Sequence, residues 1–322
     1  MSDTMVKIAI NALLLILQLA VVILIAPLIF GIIKKTKSRI QNRRGPSVFQ
    51  PYADLTKLLK KEVVVSENAS WVFSFTPYVL IASILVIVLL VPTVFAPLPL
   101  HWIGDIITVA YLLALGRFFL ALAGLDAASG FGGLGSSREM SIASIIEPAM
   151  MLSIFSVAVT AGSTNLSVVV ESLSTSPASV FNPSHILAFV ALFIVTIAET
   201  GRIPVDNPET HLELTMIHEA MILEYSGRYL AFVELASQMK MVVFLSLLSN
   251  LFFPIGLATQ FTPLGLGISV LAFLAKTTVL AVGIAIVEST NAKLRLFRVP
   301  DLLMTAFILS LLSLILYFIV GT

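Results

Sequence analysis

The chain has no cysteine in its 322 residues. That excludes disulfides, thiolate metal sites and cysteine-held iron–sulfur clusters, so any electron carrier this protein serves belongs to another subunit. Charge is scarce as well. Charged residues make up 11% of the chain and hydrophobic ones 58%, against about 25% and roughly 45–50% in a soluble domain. Apolar–polar alternation is also missing. The apolar stretches are continuous and reach the roughly 20 residues that cross a hydrocarbon core, which selects helices over a closed barrel. No internal repeat stands out, which argues against an inverted-repeat transporter. The formal net charge of +1 gives no sign of a nucleic-acid partner.

The expected fold is therefore an all-α integral membrane protein, one transmembrane domain over 1–322. About eight transmembrane helices are expected, near 6–33, 72–95, 104–125, 141–162, 184–200, 228–252, 264–288 and 301–320. The first run is too long for a signal-peptide core and lacks a small-residue cleavage site, so it reads as a retained helix. Within the basic loop 34–70, residues 45–62 read as an amphipathic surface helix. Val48, Tyr52, Leu55, Leu58 and Leu59 share one face, and Asp54, Lys57, Lys60 and Lys61 the other. It is either a simple anchor or a lateral arm bordering an opening between helices.

Lys and Arg are absent from 96–103, 163–183 and 253–263. They cluster after the first span, from Lys34 through Arg43 and Arg44 to Lys61. They recur as Arg138, as Arg202 with Arg228, and as Lys293, Arg295 and Arg298. The positive-inside rule places these loops in the cytoplasm and both termini outside, in a multi-pass protein of the cell membrane.

Two familiar motifs are incomplete. Gly130, Gly132 and Gly135 match GxGxxG but follow a membrane span rather than a strand, and no Gly-Lys-Ser/Thr is present. These glycines are expected to form a tight cytoplasmic turn. His218-Glu219 begins HExxH, but Ile222 replaces the second histidine, so a zinc protease is excluded. His211 and His218 with nearby carboxylates suggest hydrogen bonding to acids or to a partner subunit more than a metal site.

Several charges fall inside apolar runs: Arg117, Glu147, Glu234, Lys240 and Lys276, with Asp126, Glu199 and Glu288 near span ends. Each costs a few kcal/mol to insert, so each needs a partner or a hydrated cavity. Arg117 with Glu147 is one pairing the sequence allows. Static ion pairs are one reading; the other is a relay of titratable groups whose charge answers a neighbour's. Glu234 and Gln238 are four apart and share a helix face.

The densest polar stretch is 199–227, ETGRIPVDNPETHLELTMIHEAMILEYSG. Gly201, Pro204 and Pro208 break its start, and Asn207 to Thr210 can begin a helix. On that helix Glu209, Glu213, Ile217, Ala220 and Glu224 line one side, His211, His218 and Tyr225 a neighbouring stripe, and Glu224 with Arg228 makes an i,i+4 pair.

At this stretch the chain resembles a known family. Glu199-Thr200-x-Arg202-x-Pro204-x-Asp206, Glu213-Leu214 and Glu224-Tyr225-Ser226-Gly227 are similar to the hallmark of NADH dehydrogenase subunit 1, the membrane subunit that attaches the redox arm in respiratory complex I. Gln41 to Pro46, Ala53-Asp54-x-x-Lys57-Leu58 and Arg298-Val299-Pro300-Asp301 resemble its other signatures. The middle, Asn207 to Glu219, and Gly135 to Met140 resemble the branch found in membrane-bound [NiFe]-hydrogenases, such as formate hydrogenlyase and the energy-converting hydrogenases.

The resemblance implies a subunit without its own redox centre. The NiFe centre and iron–sulfur clusters would sit in partners: hydrogenase large and small subunits and an iron–sulfur subunit, with antiporter-like subunits in the membrane. Arg43, Arg44, Arg138, Arg202, His211, His218, Arg228 and Arg298 would dock the arm. Glu147, Glu199, Asp206, Glu213, Glu224, Glu234, Arg117, Lys240 and Lys276 would couple electron transfer to H⁺ or Na⁺ movement. The alternatives are a quinone-binding complex I subunit, a stand-alone ion transporter and a purely structural anchor.

Overall fold

The computed structural model of the chain describes residues 2–96, 98–175, 182–207, 216–258 and 262–320. In chain order the helices are α1 (Ser2–Ile40), α2 (Gln50–Leu59), α3 (Trp71–Leu90), α4 (Ile106–Asp126), α5 (Gly130–Ala161), α6 (Leu166–Thr175), α7 (Pro183–Glu199), α8 (His218–Ile222), α9 (Gly227–Phe252), α10 (Pro263–Thr290) and α11 (Val299–Val320). Seven of the described helices are long and apolar enough to cross a membrane. The fifth expected span is the exception. It is α7, 17 residues long, about 25 Å at 1.5 Å per residue, and it packs against α5, α9 and α11.

Local chemistry sets several helix starts. Side chains of Ser70, Asp105, Ser129 and Thr262 accept the backbone N–H of Val72, Ile107, Gly132 and Gly265, which satisfies donors that a helix start leaves open. The carboxylate of Asp126, at the end of α4, also accepts the N–H of Ser70 (2.8 Å) and Phe73 (3.1 Å). It thus ties the entrance of α3 to the exit of α4.

The glycine-rich run differs from expectation. It is the first part of α5, which begins at Gly130 instead of near 141, and the turn is the short link before it. The glycines serve close approach. A Cβ on Gly132 would stand 2.2 Å from the carbonyl oxygen of Gly124 on α4, and one on Gly135 2.8 Å from Ala220 Cβ on α8. Missing side chains let three backbones converge where a turn was expected.

Helix directions bring the loops 41–70, 127–129, 200–207, 216–226 and 291–298 to one end of the bundle. Ser226 Oγ accepts from Val64 N (2.8 Å) and donates to Val64 O (2.9 Å), and Leu294 N donates to Pro204 O (2.9 Å). The opposite end is closed by Ala96 with Ala258 and by Ile106 with Thr164. The main apolar core lies between, with Ile29, Ile87, Leu192, Phe244 and Phe273 fully buried.

Candidate functional site: a buried charge cluster below the acidic segment

A cluster of ion-paired charge sits where α4, α5, α7 and α9 meet. The Arg117 side chain, 5% exposed, holds Glu147 with Nη1 and Glu199 with Nη2, and its Nε lies 3.6 Å from Glu139. Lys240 Nζ is 2.7 Å from Glu199 Oε2. With all five ionised, three carboxylates face two cations, a local charge of −1. Glu147 is 42% exposed, but the more deeply buried Arg117 and Glu199 persist as charges only when paired this closely. The planar guanidinium suits Arg117 to this position, because its fork reaches several carboxylates at once. Pro148 follows Glu147 inside α5 and removes one backbone donor there.

A second group lies nearer the loops. Arg202 Nη1 reaches Glu288 Oε1 at 3.2 Å, and Lys37 Nζ stands 3.8 Å from Glu288 Oε2. The Arg202 guanidinium lies 4.7 Å from the centre of the Phe30 ring, a favourable cation–π distance. Asp206 Oδ1 is 3.1 Å from Lys293 Nζ and accepts Asn207 N, while Oδ2 accepts the N–H of both Ile217 and His218 (3.1 Å each).

That double acceptance marks where the described helix of the acidic segment begins, at His218. The helix is α8, five residues long. Ile217 precedes it and Glu224 follows it, so they do not line a helix with Ala220 as expected. Glu209, His211 and Glu213 lie outside the described residues.

Three adjoining cavities connect these groups. The first, about 610 Å³, has apolar walls of Leu80, Ile84, Leu112 and Leu113 and reaches Arg117, Glu139, Glu199, His218 and Lys240. The second, about 900 Å³, shares Thr200, His218, Val233 and Ser237 with the first and adds Lys34, Arg202, Asp206, Glu219 and Glu234. The third, about 680 Å³, shares Phe30, Lys34, Glu234 and Gln238 with the second and is walled by α2. The amphipathic helix therefore borders an opening. Pro51 is buried and Leu55 and Leu58 half-buried, while Leu59 is 52% exposed, off the face it was expected to share.

In the loop region, burial first, then the neighbouring Glu234 and Asp206, pushes the Glu219 carboxyl up to about 7; Lys34 and Arg202 pull it back. Burial lowers His218 from its usual range, more than the carboxylates around it raise it, so its imidazole is neutral at pH 7. A carboxyl that titrates near neutrality beside a neutral imidazole can exchange a proton with water in the second cavity.

The structure brings together Arg117, Glu147, Glu199 and Lys240, and places Asp206, Glu234, Arg202 and His218 along the cavities. Arg202 is buried and ion-paired, so its guanidinium is not on the surface that would meet an arm. Arg138 Nη1 donates to Met216 O at 3.0 Å and so steadies the entrance to α8. Arg43, Arg44, Arg228 and Arg298 are exposed at the loop end.

Glu224 is exposed and lines none of the three cavities. No ion pair joins it to Arg228 among the described residues, because a non-helical link and Gly227 at φ +52° separate α8 from α9. Lys276 stands apart from the cluster, held by Asn250 Oδ1 (2.7 Å) and Phe253 O (3.1 Å) near the far end of α9.

The Tyr225-Ser226-Gly227 part of the motif is a fastener. Tyr225 stacks on Phe73 at 4.1 Å and donates to its carbonyl at 3.0 Å. Gly227 lies so close to Glu62 O that a Cβ would be 2.3 Å away.

Sequence reasoning missed Glu139, Glu219, Lys37 and Lys293 as members of the site and left Glu288 as a bare charge near a span end. Lys37, Glu288, Glu219 and Lys293 lie in loops, in the short α8 or near helix ends, where a charge is ordinary, and Glu139 lies in the part of α5 that reads as a loop in the sequence. Only its tertiary partner gives each of them meaning. Among the described residues, no three histidines or carboxylates are grouped to hold a metal ion.

Comparison with known proteins places this chain in a family. Residues 12–319 match the family model described as NADH dehydrogenase. The chain is 36% identical to formate hydrogenlyase subunit 4 of Escherichia coli over 90% of its length and 94% of the relative's. It is 35% identical to hydrogenase-4 component C of the same organism, over 92% of each. A further relative, NADH-quinone oxidoreductase subunit 8 of Rhodothermus marinus, is 30% identical over 69% of this chain and 65% of its own. The fold matches a chain of the membrane-bound sulfane sulfur reductase, an archaeal respiratory membrane complex, with a TM-score of 0.80 at 21% identity, covering 94% of this chain and 98% of that one. The chain thus belongs to the NADH dehydrogenase family, as a membrane subunit of the complex I subunit 1 type.

Proposed function

We propose that this protein is the membrane anchor of a complex I-like [NiFe]-hydrogenase, and that it couples electron transfer in a peripheral arm to H⁺ or Na⁺ movement in the membrane. The arm rests on the end that carries 41–70, 200–207, 216–226 and 291–298, on the cytoplasmic face, with both termini on the other side of the cell membrane. NiFe and iron–sulfur chemistry belongs to the partner subunits, and antiporter-like subunits carry the ion. The likeness to two hydrogenase membrane subunits over nine-tenths of the chain supports the hydrogenase branch.

The observation that carries the coupling role is Glu199. It is shared by Arg117 and Lys240 at the inner end of a row of cavities that starts at the acidic segment. A change of charge at Glu219 or Glu234 alters the balance between those cations. The Glu199 carboxylate can then shift toward one or the other without leaving its buried site.

Affinity purification of the tagged chain from its native membrane tests the assignment. The expected product is a complex with stoichiometric nickel that evolves hydrogen from a reduced donor. A complex without nickel contradicts it. A second reading, a quinone-binding subunit, draws on the apolar walls of the first cavity; quinone-dependent turnover of the nickel-free complex supports that reading instead.

A further inference from the structure

The third cavity is a groove between α1, α2 and α9 whose outer lysines, Lys57 and Lys61, the coupling role does not use. Three ammonium groups border it: Lys34 on α1, Lys57 on α2 and Lys61 just after α2. None of them forms an ion pair among the described residues; Lys34 lies 4.7 Å over the Phe30 ring. The wall between them is apolar, from Phe30, Leu55 and Leu58. At the inner side Gln238 is 3% exposed, and its Oε1 is buried without a hydrogen-bond partner. An unmet buried acceptor is costly, and a donor from a ligand removes that cost.

The depth of the groove narrows the choice of ligand. Lys34 ends the apolar part of α1, and α2 is a surface helix with exposed lysines, so the rim lies at the level of lipid headgroups. Unpaired cations at that depth, an apolar wall below them and a buried acceptor behind them fit an amphiphile that carries a phosphate and a hydroxyl. Two carboxylates also face the groove. Asp54 is engaged by Gln50 Nε2 at 2.9 Å, and Glu234 lies beside Gln238 on the inner side. Both steer a phosphate toward the lysine rim and a hydroxyl inward.

We propose that this groove is a binding site for one acidic phospholipid of the phosphatidylglycerol type. The phosphate lies among Lys34, Lys57 and Lys61, a glycerol hydroxyl donates toward Gln238 Oε1, and an acyl chain covers Phe30, Leu55 and Leu58. A zwitterionic headgroup would bring its own cation against the lysines, and a free phosphate would leave the apolar wall bare. The lipid would hold α2 against α1 and α9 and close the outer cavity toward the membrane.

The test uses the intact complex, extracted in mild detergent and analysed by native mass spectrometry. The wild type should retain one acidic phospholipid that Lys57→Gln/Lys61→Gln loses by at least tenfold. Lys60→Gln, exposed beside them but outside the groove, should keep it. Add-back to delipidated wild type should restore one phosphatidylglycerol in preference to phosphatidylcholine, independently of whether the variant assembles. The proposal is overturned by equal retention in the double variant, by an equal loss in Lys60→Gln, by no headgroup preference on add-back, or by a quinone as the retained mass. Nickel content and hydrogen evolution are read on the same preparations, so failure of the lipid site is separable from failure of the hydrogenase assignment.

Discussion

Lys240 Nζ lies 2.7 Å from one oxygen of Glu199 while Arg117 holds the other, so a single buried carboxylate joins α4, α7 and α9. Neutralising it takes the carboxylate from Lys240, while Arg117 keeps Glu147 and Glu139. Glu199→Gln is expected to destabilise the complex by about 1–3 kcal/mol, because the partly exposed Lys240 loses its charged partner and the buried Arg117 loses one of three. Lys240→Gln should cost less, because Arg117 still pairs Glu199 and Lys240 is itself 21% exposed. Thermal unfolding of the two purified variants checks the order.

The glycines of α5 separate close packing from local flexibility. Gly132→Ala drives a Cβ into the Gly124 carbonyl, whereas Gly130 faces open space. The first change should cost about 1–3 kcal/mol, as overpacking does. The second should be neutral or add up to about 1 kcal/mol. Equal melting temperatures for the two variants would contradict the packing.

The seven long helices were legible because each contains an apolar run long enough to cross a membrane, and no soluble alternative could bury so much of it. The ion-pair partners were not. Arg117 with Glu147 was within reach of the sequence, since both stand out inside apolar runs. Arg202 with Glu288 is 86 residues apart, and nothing local announces it. The glycine run misled because GxGxxG composition is shared by turns and by close helix crossings; only the neighbouring backbone of α4 decides between them. α6 was missed because a 10-residue helix in a loop without Lys or Arg has neither the length nor the charge asymmetry of a span.

Asp206 gives a further prediction. Its carboxylate accepts three backbone N–H groups and pairs with Lys293. Asp206→Ala leaves those donors unmet, at about 1–3 kcal/mol. The loss should be local, with faster amide hydrogen exchange over 216–222 and unchanged exchange in α3 and α4.

Glu219 sets a pH dependence. Its carboxyl is raised to about 7 in the folded protein, above its unfolded range. The native state therefore binds more protons than the unfolded chain between about pH 4.5 and 7, and stability falls as pH rises through that window. Glu219→Gln should remove this slope and raise stability at pH 8 by about 1–2 kcal/mol, after allowance for solvent screening of a half-buried group. Melting curves at pH 6 and pH 8 for both proteins decide it; parallel pH dependence in the variant would be the contrary result.

The coupling role is tested most directly by Lys240→Gln in proteoliposomes carrying the whole complex, with hydrogen evolution and ion uptake recorded together. The variant keeps the Arg117–Glu199 pair and so should assemble. If the Lys240–Glu199–Arg117 arrangement transmits the coupling, hydrogen is still produced within about threefold of the wild-type rate, while ions moved per hydrogen formed fall at least tenfold, about 1.4 kcal/mol of lost coupling. An unchanged ion-to-hydrogen ratio would contradict the role and leave the cluster as a static ion-pair lock.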